Sequence, residues 1–453
     1  MTVRPEINDD RVALGRRMLE LIEALYPIAR SITGEGVRET LRILGRAIPL
    51  EVHEVPTGTQ VFDWTVPREW TIRDAYIKDA SGQRIVDFKR SSLHVVGYSM
   101  PVHATMTLTE LRPHLHSLPD RPSWIPYRTS YYEETWGFCL SHEQLLTLDE
   151  GPYEVCIDSD LRDGHLTYGE LVLPGETRDE ILVSAHVCHP SLANDNLSGI
   201  TVATFLAAKL QHTRRRHTLR FLFAPGTIGS LTWLSQHEDD LPRIGKGLVL
   251  AGLGDAGLLT YKRSRRENAE IDRAVELALR DGGTPHTVTG FSPWGYDERQ
   301  YNSPGIDLPA GLLMRTPHGT YPEYHTSADN LAFMRADSLV GSLEACLAVV
   351  GILDGNRRYR NLNPKGEPQL GRRGLYGSIA GSDGKPDQLA MLWVLNLSDG
   401  DHSLLDVAER SGLRFATIAE AANALERAGL LADVTEDEGA SGTGPQPTGP
   451  ATR

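Results

Sequence analysis

The sequence predicts an α/β fold in which a buried sheet is covered by helices on both faces, extended by a mostly-β insertion and a C-terminal winged helix. Three observations predict it. Residues 168–355 alternate short apolar runs with segments of helical period. Residues 51–166 change texture to short Val-, Ile-, Thr- and aromatic-rich segments separated by Pro, Gly and Asp. Residues 387–432 give three short helical patterns. A chain of 453 residues exceeds one ordinary domain.

Taken in order, residues 10–47 read as two helices, with Leu14, Met18, Leu21, Ile22 and Leu25 on one apolar face and "SITGEG" breaking the pattern. In the insertion, "VFDWTVP", "LHVVGYS", "ATMTL" and "YEVCIDS" are the strand candidates. In the central region "EILVSA", "TLRFLFA", "GLVLAG" and "IDLPAGLL" read as buried strands. Between them "LSGITVATFLAAKL" and "ENAEIDRAVELALRD" read as helices, with another after "HTSADN". "NLNPKGEPQLGRRG" reads as a linker. The expected boundaries are 1–50 for the N-terminal helices, which pack on the central domain, 51–166 for the insertion and 167–360 for the central metal-binding domain. The winged helix then spans 370–434 and a disordered tail 435–453.

Composition excludes several classes. The longest apolar runs, such as Leu343 to Leu353, are too short and interrupted to span a bilayer. The start MTVRPEINDD has no apolar signal region, and four scattered cysteines make no disulfide framework, so a reducing cytoplasm fits best. A net charge of -14 argues against broad nucleic-acid binding. Within 388–432, Arg410, Arg414 and Arg427 face six acidic residues: Asp399, Asp401, Asp406, Glu409, Glu420 and Glu426. Phosphate neutralisation needs the opposite balance, so this module reads as a packing or dimerisation element, and a homo-oligomer stays open.

Metal chemistry needs nitrogen and carboxylate ligands converging from separate segments. His186 after "ILVSA", Asp195 in the following loop, Asp255 after "GLVLAGLG" and His325 in "YPEYHTSADN" all fall at or beyond predicted strand ends. Singly, each reads more simply as a turn residue or helix cap. Together they favour a metal: zinc, as one or two ions, with manganese or iron as alternatives. "GLGDAG" lacks the spacing of a phosphate loop, and Ser230 in "GTIGS" reads as a helix cap. Cys188, as a nucleophile beside His186 and His189, ranks behind metal binding. The insertion's aromatics, among them Trp64, Trp70, Trp124, Tyr131, Tyr132 and Trp136, read as core packing or as a wall of the cleft.

The order "SAH…NDNLSG", "GS", "GLGDAG", "YHTSADN" resembles the zinc aminopeptidase clan, which also contains glutaminyl cyclases, over residues 168–350. Over nearly the whole chain, "VFDWTVPREW", "IPYRTSYY", "WGFCL", "HVCHPSLANDNLSG" and "DERQY" resemble a bacterial aminopeptidase-like subfamily with an inserted β domain and a C-terminal winged helix. The resemblance implies a mixed central sheet and a metal-dependent hydrolase acting on a peptide or amide bond of a small substrate. It implies His186 as first ligand, Asp195 as a bridging carboxylate, Asp255 as completing a His-Asp-Asp set and His325 as ligand of a second metal. Where the clan's aminopeptidases have an orienting Asp two residues after the first His, this chain has Cys188; His189 is the candidate ligand, orienter or substrate contact in its place, with plain structural support an equal reading.

A larger departure concerns Gly226 in "FLFAPGTIGS". The clan places acidic residues after this strand, and the subfamily a Glu before "TIGS". Here no acidic residue occurs between Arg220 and Gln236. Loss of a general base costs about 10²–10⁴-fold in rate. Three explanations compete: an engineered inactive variant, a natural pseudoenzyme, or a base recruited from elsewhere, with Glu298 and Glu323 available, each of which reads equally as a surface or salt-bridged residue. Glu323 or Asp297 is also the candidate anchor for a substrate's α-amino group. The expectation is therefore a metallo-hydrolase, with a metal- or ligand-binding pseudoenzyme or scaffold as the alternative and a DNA-binding regulator third.

Overall fold

The computed structural model describes residues 10–375 and 387–434. The expected tail at 435–453 lies outside the described residues. Compactness divides the chain into two units, residues up to 272 with 284–347, and residues 273–283 with those from 348 onward.

The first unit is built on an eight-stranded mixed sheet. In chain order its strands are β1 (Glu51–Pro56), β2 (His165–Leu173), β3 (Glu180–His186), β4 (Thr218–Ala224), β5 (Ile244–Leu250), β6 (Leu259–Lys262), β7 (His286–Thr289) and β8 (Ala310–Met314). Their spatial order is β1-β2-β4-β3-β5-β8-β6-β7. The central four, β4, β3, β5 and β8, run parallel and so share one carboxyl end. Strands β3 and β4 are buried along their whole length, which is why they read as unbroken apolar runs rather than alternating ones.

Helices flank this sheet. The predicted apolar face of α1 (Arg11–Leu25) is buried at Leu14, Met18, Leu21, Ile22 and Leu25. After a tight reversal comes α2 (Glu35–Leu44), which packs on β2. The break at "SITGEG" has a steric cause: Gly34 sits at φ +94, and a Cβ on Gly36 would lie 2.1 Å from the Ala29 carbonyl oxygen. Helix α3 (Gly199–Leu210) packs on β3, β4 and β5, and α4 (Ile228–Gln236) packs on β2. Two more helices follow, α5 (Glu270–Gly282) and α6 (Ala336–Gly355). By length and composition α6 could cross a membrane, which run-length reading missed because Ser342 and Glu344 interrupt it. Half of its apolar window is buried within the protein, with Leu339, Val340, Leu343 and Cys346 wholly so.

The insertion starts later than the predicted 51, because β1 pairs with β2 in the main sheet. Its own antiparallel sheet runs in the order Arg84–Asp87, Glu69–Lys78, Tyr153–Arg162, Val102–Met106. Ala75, Ile77, Val86, Phe138, Val155 and Ile157 fill its core.

In the second unit, strand Arg358–Asn361 lies between Asp399–Ser403 and Leu431–Asp433. The winged helix therefore begins before 370, within what was expected to be the end of the central domain. Its helices are Gln388–Leu397, Leu404–Ser411 and Phe415–Arg427, and Ser403 with Asp406 caps the second through a reciprocal side chain–backbone box. Residues 273–283, most of α5 and the glycine after it, belong to this unit, where Arg273 pairs with Asp406 and Glu409, and Asp281 accepts the Phe415 N–H at 2.7 Å.

One charge inside the apolar strand β4 ties three strands together. Arg220 donates to Glu180 on β3 at 2.6 and 3.1 Å and to Glu170 on β2 at 2.7 Å, and Trp233 of α4 donates to the same Glu170 oxygen at 2.7 Å. Removing one member strands the others in a low-dielectric interior. Arg220→Met should therefore cost about 3–5 kcal/mol in urea unfolding, and adding Glu170→Gln and Glu180→Gln should restore most of it.

Candidate metal centre

The parallel strands deliver the site at their shared carboxyl end, where open α/β sheets gather ligands. His186 is the last residue of β3, Gly226 lies two residues past β4, Asp255 lies on the loop after β5, and His325 lies on the loop after β8. Between β3 and α3 the turn Ala193–Ser198 is almost fully buried. It departs from helical dihedrals at Asp195 and Asn196, whose connecting peptide is cis.

Asp195, with no exposed surface, is the centre of the arrangement. Its Oδ1 lies 2.9 Å from His186 Nε2 and its Oδ2 lies 3.0 Å from His325 Nε2. His189 Nε2 is 3.9 Å from the same Oδ2, and ligating atoms of His186, His189 and Asp195 all fall within 4.8 Å of one another. Burial alone would raise the Asp195 carboxyl, but the His189, His186 and His325 imidazoles outweigh it and hold it well below the usual carboxylate range. Burial pushes His189 down to about 3, so its ring is neutral at physiological pH, the form that binds metals.

A second set of contacts positions this carboxylate. Asp329 accepts the backbone N–H of Asn194 at 2.6 Å and of Asp195 at 3.0 Å. Burial pushes the Asp329 carboxyl up to about 7, with its hydrogen bonds to the turn opposing the rise. Asn196 Nδ2 lies 3.3 Å from His186 Nδ1 and donates to the Leu250 carbonyl at 3.0 Å. Around the imidazoles stand aromatic rings: Tyr296 stacks on His186 at 4.8 Å, Tyr324 stacks on His325 at 3.9 Å, and Tyr127 meets His325 edge-on at 5.1 Å. Tyr127 comes from the insertion, whose residues 125–127 pair with 325–327 through hydrogen bonds of 2.8 Å from Tyr127 N to His325 O and from Ser327 N to Ile125 O.

Three expectations meet a different arrangement. Asp255 does not join the cluster: its Oδ2 accepts from Asn194 Nδ2 at 3.0 Å, while its Oδ1 accepts from the Gly257 N–H and the Thr316 hydroxyl, both at 2.6 Å. Its carboxylate ties the loops after β5 and β8 to the Asp195 turn. Glu298 is wholly buried and paired with Lys262 at 2.8 Å, so its charge is answered away from the imidazoles. Asp297 uses Oδ1 to accept the Thr227 N–H at 2.7 Å and the Ser230 hydroxyl at 3.0 Å, which also explains Ser230 without a nucleophilic role.

Glu323 is half-buried two residues before His325, and its carbonyl accepts from the Thr326 hydroxyl at 2.8 Å. A Cβ on Gly226 would stand 3.6 Å from His186 Cβ and 3.2 Å from Cys188 Sγ, so a side chain there would face the cluster. Cys188 is 3% exposed and burial pushes its thiol up, the reverse of what a nucleophile needs. Of the insertion's aromatics, Trp70 is core and Trp136 stacks on His114, while Tyr131 reaches the wall of the site through its hydroxyl, 3.0 Å from that of Tyr127.

Sequence reasoning did not single out Tyr127, Tyr296, Asp329 or His318. The last is a ring 4.7 Å from Tyr296 that burial keeps below its usual pKa. Asp329 carried a signal, an acidic residue four past His325 in "HTSADN". Tyr127 carried none.

A mixed α/β sheet with this site at its carboxyl end is the zinc-aminopeptidase fold. The zinc aminopeptidase from Bacillus subtilis matches with a TM-score of 0.55 at 14% identity, over 76% of this chain and 95% of its own. The chain belongs to the family described as "Domain of unknown function (DUF4910)", whose model matches residues 19–356, and residues 357–433 match a winged helix-turn-helix model. A Clostridium acetobutylicum protein, provisionally named as a polysaccharide biosynthesis protein with an aminopeptidase-like domain, is 53% identical over 418 residues, 92% of this chain and 96% of its own length. A crystal structure from the same organism, provisionally assigned as a peptidase, matches with a TM-score of 0.89 at 52% identity, over 93% of this chain and 96% of that one.

Because Asp329 fixes the Asp195 turn without itself joining the cluster, Asp329→Ala should weaken the affinity of the His186–Asp195 cluster for an added divalent ion, titrated as zinc, by about 10–100-fold. Isothermal titration calorimetry, with circular dichroism to confirm folding, checks this.

Proposed function

We propose that this protein is a metal-dependent, aminopeptidase-like hydrolase that cleaves an amide bond of a small substrate. The carrying observation is the Asp195 carboxylate, buried, ionised and presenting one oxygen to His186 and the other to His325. The donor set fits a divalent ion: imidazole nitrogens and a carboxylate from separate loops, oriented by Asn196 and Asp329. His186, Asp195 and His325 would hold it, with His189 beside them. Zinc suits these nitrogen and oxygen donors and is the metal named for the B. subtilis aminopeptidase, with manganese or iron as alternatives. A metal held there supplies Lewis acidity toward a substrate carbonyl and toward water.

The chain's own groups do the rest. Tyr127, Tyr296 and Tyr324 wall the imidazoles and exclude bulk water around a small ligand. Glu323, on the loop that carries His325, is the candidate to hold a substrate's amino group. The name of the C. acetobutylicum relative supports a setting in polysaccharide biosynthesis. The four cysteines are all free, which supports a reducing cytoplasm. The winged helix is read as a packing or dimerisation element: helix Phe415–Arg427 exposes Glu420 and Glu426 against Arg427, a poor surface for phosphates.

A pseudoenzyme is the second reading, and Gly226 favours it. Among the described residues whose ligating atoms close to within 4.8 Å, Asp195 is the one carboxylate, and no side chain at 226 supplies a base. Gly226→Glu should raise amide hydrolysis by about 10²–10⁴-fold over the parent on a panel of aminoacyl and N-acyl amides. The new Cβ would press on Cys188 Sγ, so the same substitution with Cys188→Ala is the companion variant. Turnover unchanged in both would count for the pseudoenzyme.

A further inference from the structure

Arg30 follows α1 and is 2% exposed. Its Nε donates to the His189 carbonyl at 2.9 Å, and its Nη1 donates to the Leu25 carbonyl at 2.8 Å and to the Thr40 hydroxyl at 3.2 Å. Its Nη2 is buried and has no hydrogen-bond partner. Every partner that the guanidinium has is neutral. A buried cation without a counter-charge costs several kcal/mol, and burial lowers Arg30 only to about 9, so it stays protonated at neutral pH.

Arg30 lines a small cavity whose space suits a single small occupant. Trp70, Phe88 and Val95 give it apolar walls, Ser31 gives it a hydroxyl, that of Ser92 is engaged with Ser191 at 2.6 Å, and no carboxylate lines it. An apolar wall weakens screening and so strengthens the attraction of a fixed cation for an anion. Tyr127, which packs against His189 and His325, is also a wall of this cavity.

We propose that this cavity is a binding site for one small monovalent anion of halide size, held by the free Nη2 of Arg30. The anion supplies the counter-charge that the protein's own side chains do not. Through Arg30 Nε it also stiffens the loop that presents His189. Nothing in this proposal depends on hydrolysis or on a bound metal. The same charge could be met by a free halide or by one end of a small carboxylate, and the test separates them.

Crystals of the full chain soaked in sodium bromide should show an anomalous peak within hydrogen-bonding distance of Arg30 Nη2. An ordered water there, or no peak, would overturn the proposal. In solution at constant ionic strength, replacing gluconate by chloride should raise the Tm of the wild type by about 2 °C at ten times the dissociation constant. A rise with formate and not with chloride would identify a carboxylate as the occupant and overturn the halide assignment. Arg30→Met should abolish the chloride shift. Should that variant fail to fold, Arg30→Lys, which keeps the charge and removes the fork, should reduce it. A shift of equal size in the variant would also overturn the proposal.

Discussion

The structure turns on one buried carboxylate. Asp195 has no exposed surface, and an ionised group in that position is tolerable only where its surroundings answer its charge. Imidazoles from two loops do so, with His186 at one oxygen and His325 at the other. The rest of the first unit serves that geometry. Parallel strands bring the two loops to one end of the sheet, and Asp329 fixes the turn through its backbone amides. Asp255 then ties the loop after β5 and the His325 loop to Asn194.

That convergence has a conformational cost. Among the described residues, seven non-glycine positions have positive φ, and three of them, Ser191, Thr227 and His325, lie on the loops of this site. Such conformations cost on the order of 1–3 kcal/mol each and persist where neighbouring contacts over-determine them. Here the contacts are visible: Asp297 holds the Thr227 amide, and the insertion pairs with the backbone at His325. A loop of the insertion is therefore part of the site's scaffold, and its Tyr127 is a ring that touches both His189 and His325.

Much of this was legible in the sequence. Strands β3, β4, β5 and β8 stand out as apolar runs because they are central and parallel. His186, Asp195 and His325 stand out because polar residues beyond such strands have few other reasons to cluster. Asp255 misled for a physical reason: a carboxylate beyond a strand can bind metal or tie loops, and the choice depends on Asn194, Gly257 and Thr316, which are far apart in sequence. For Glu298 the sequence left a base and a salt-bridged residue equally open, and the ion pair is the one made, with a partner, Lys262, that lies 36 positions away. Tyr127 was illegible because an antiparallel bridge between 126 and 326 leaves no periodic trace. The edges of the insertion and of the winged helix moved because β1 and the strand Arg358–Asn361 pair with distant partners, and pairing is not a local property.

On the proposed function, Asp195 joins two imidazoles in order to hold a metal. Anomalous diffraction from crystals of the full chain grown with zinc, recorded on both sides of the zinc edge, tests it most directly. A peak is expected against the Asp195 carboxylate, contacted by His186, His325 or both. A zinc-replete protein with no peak at Asp195, its carboxylate still hydrogen-bonded to both imidazoles, would contradict it.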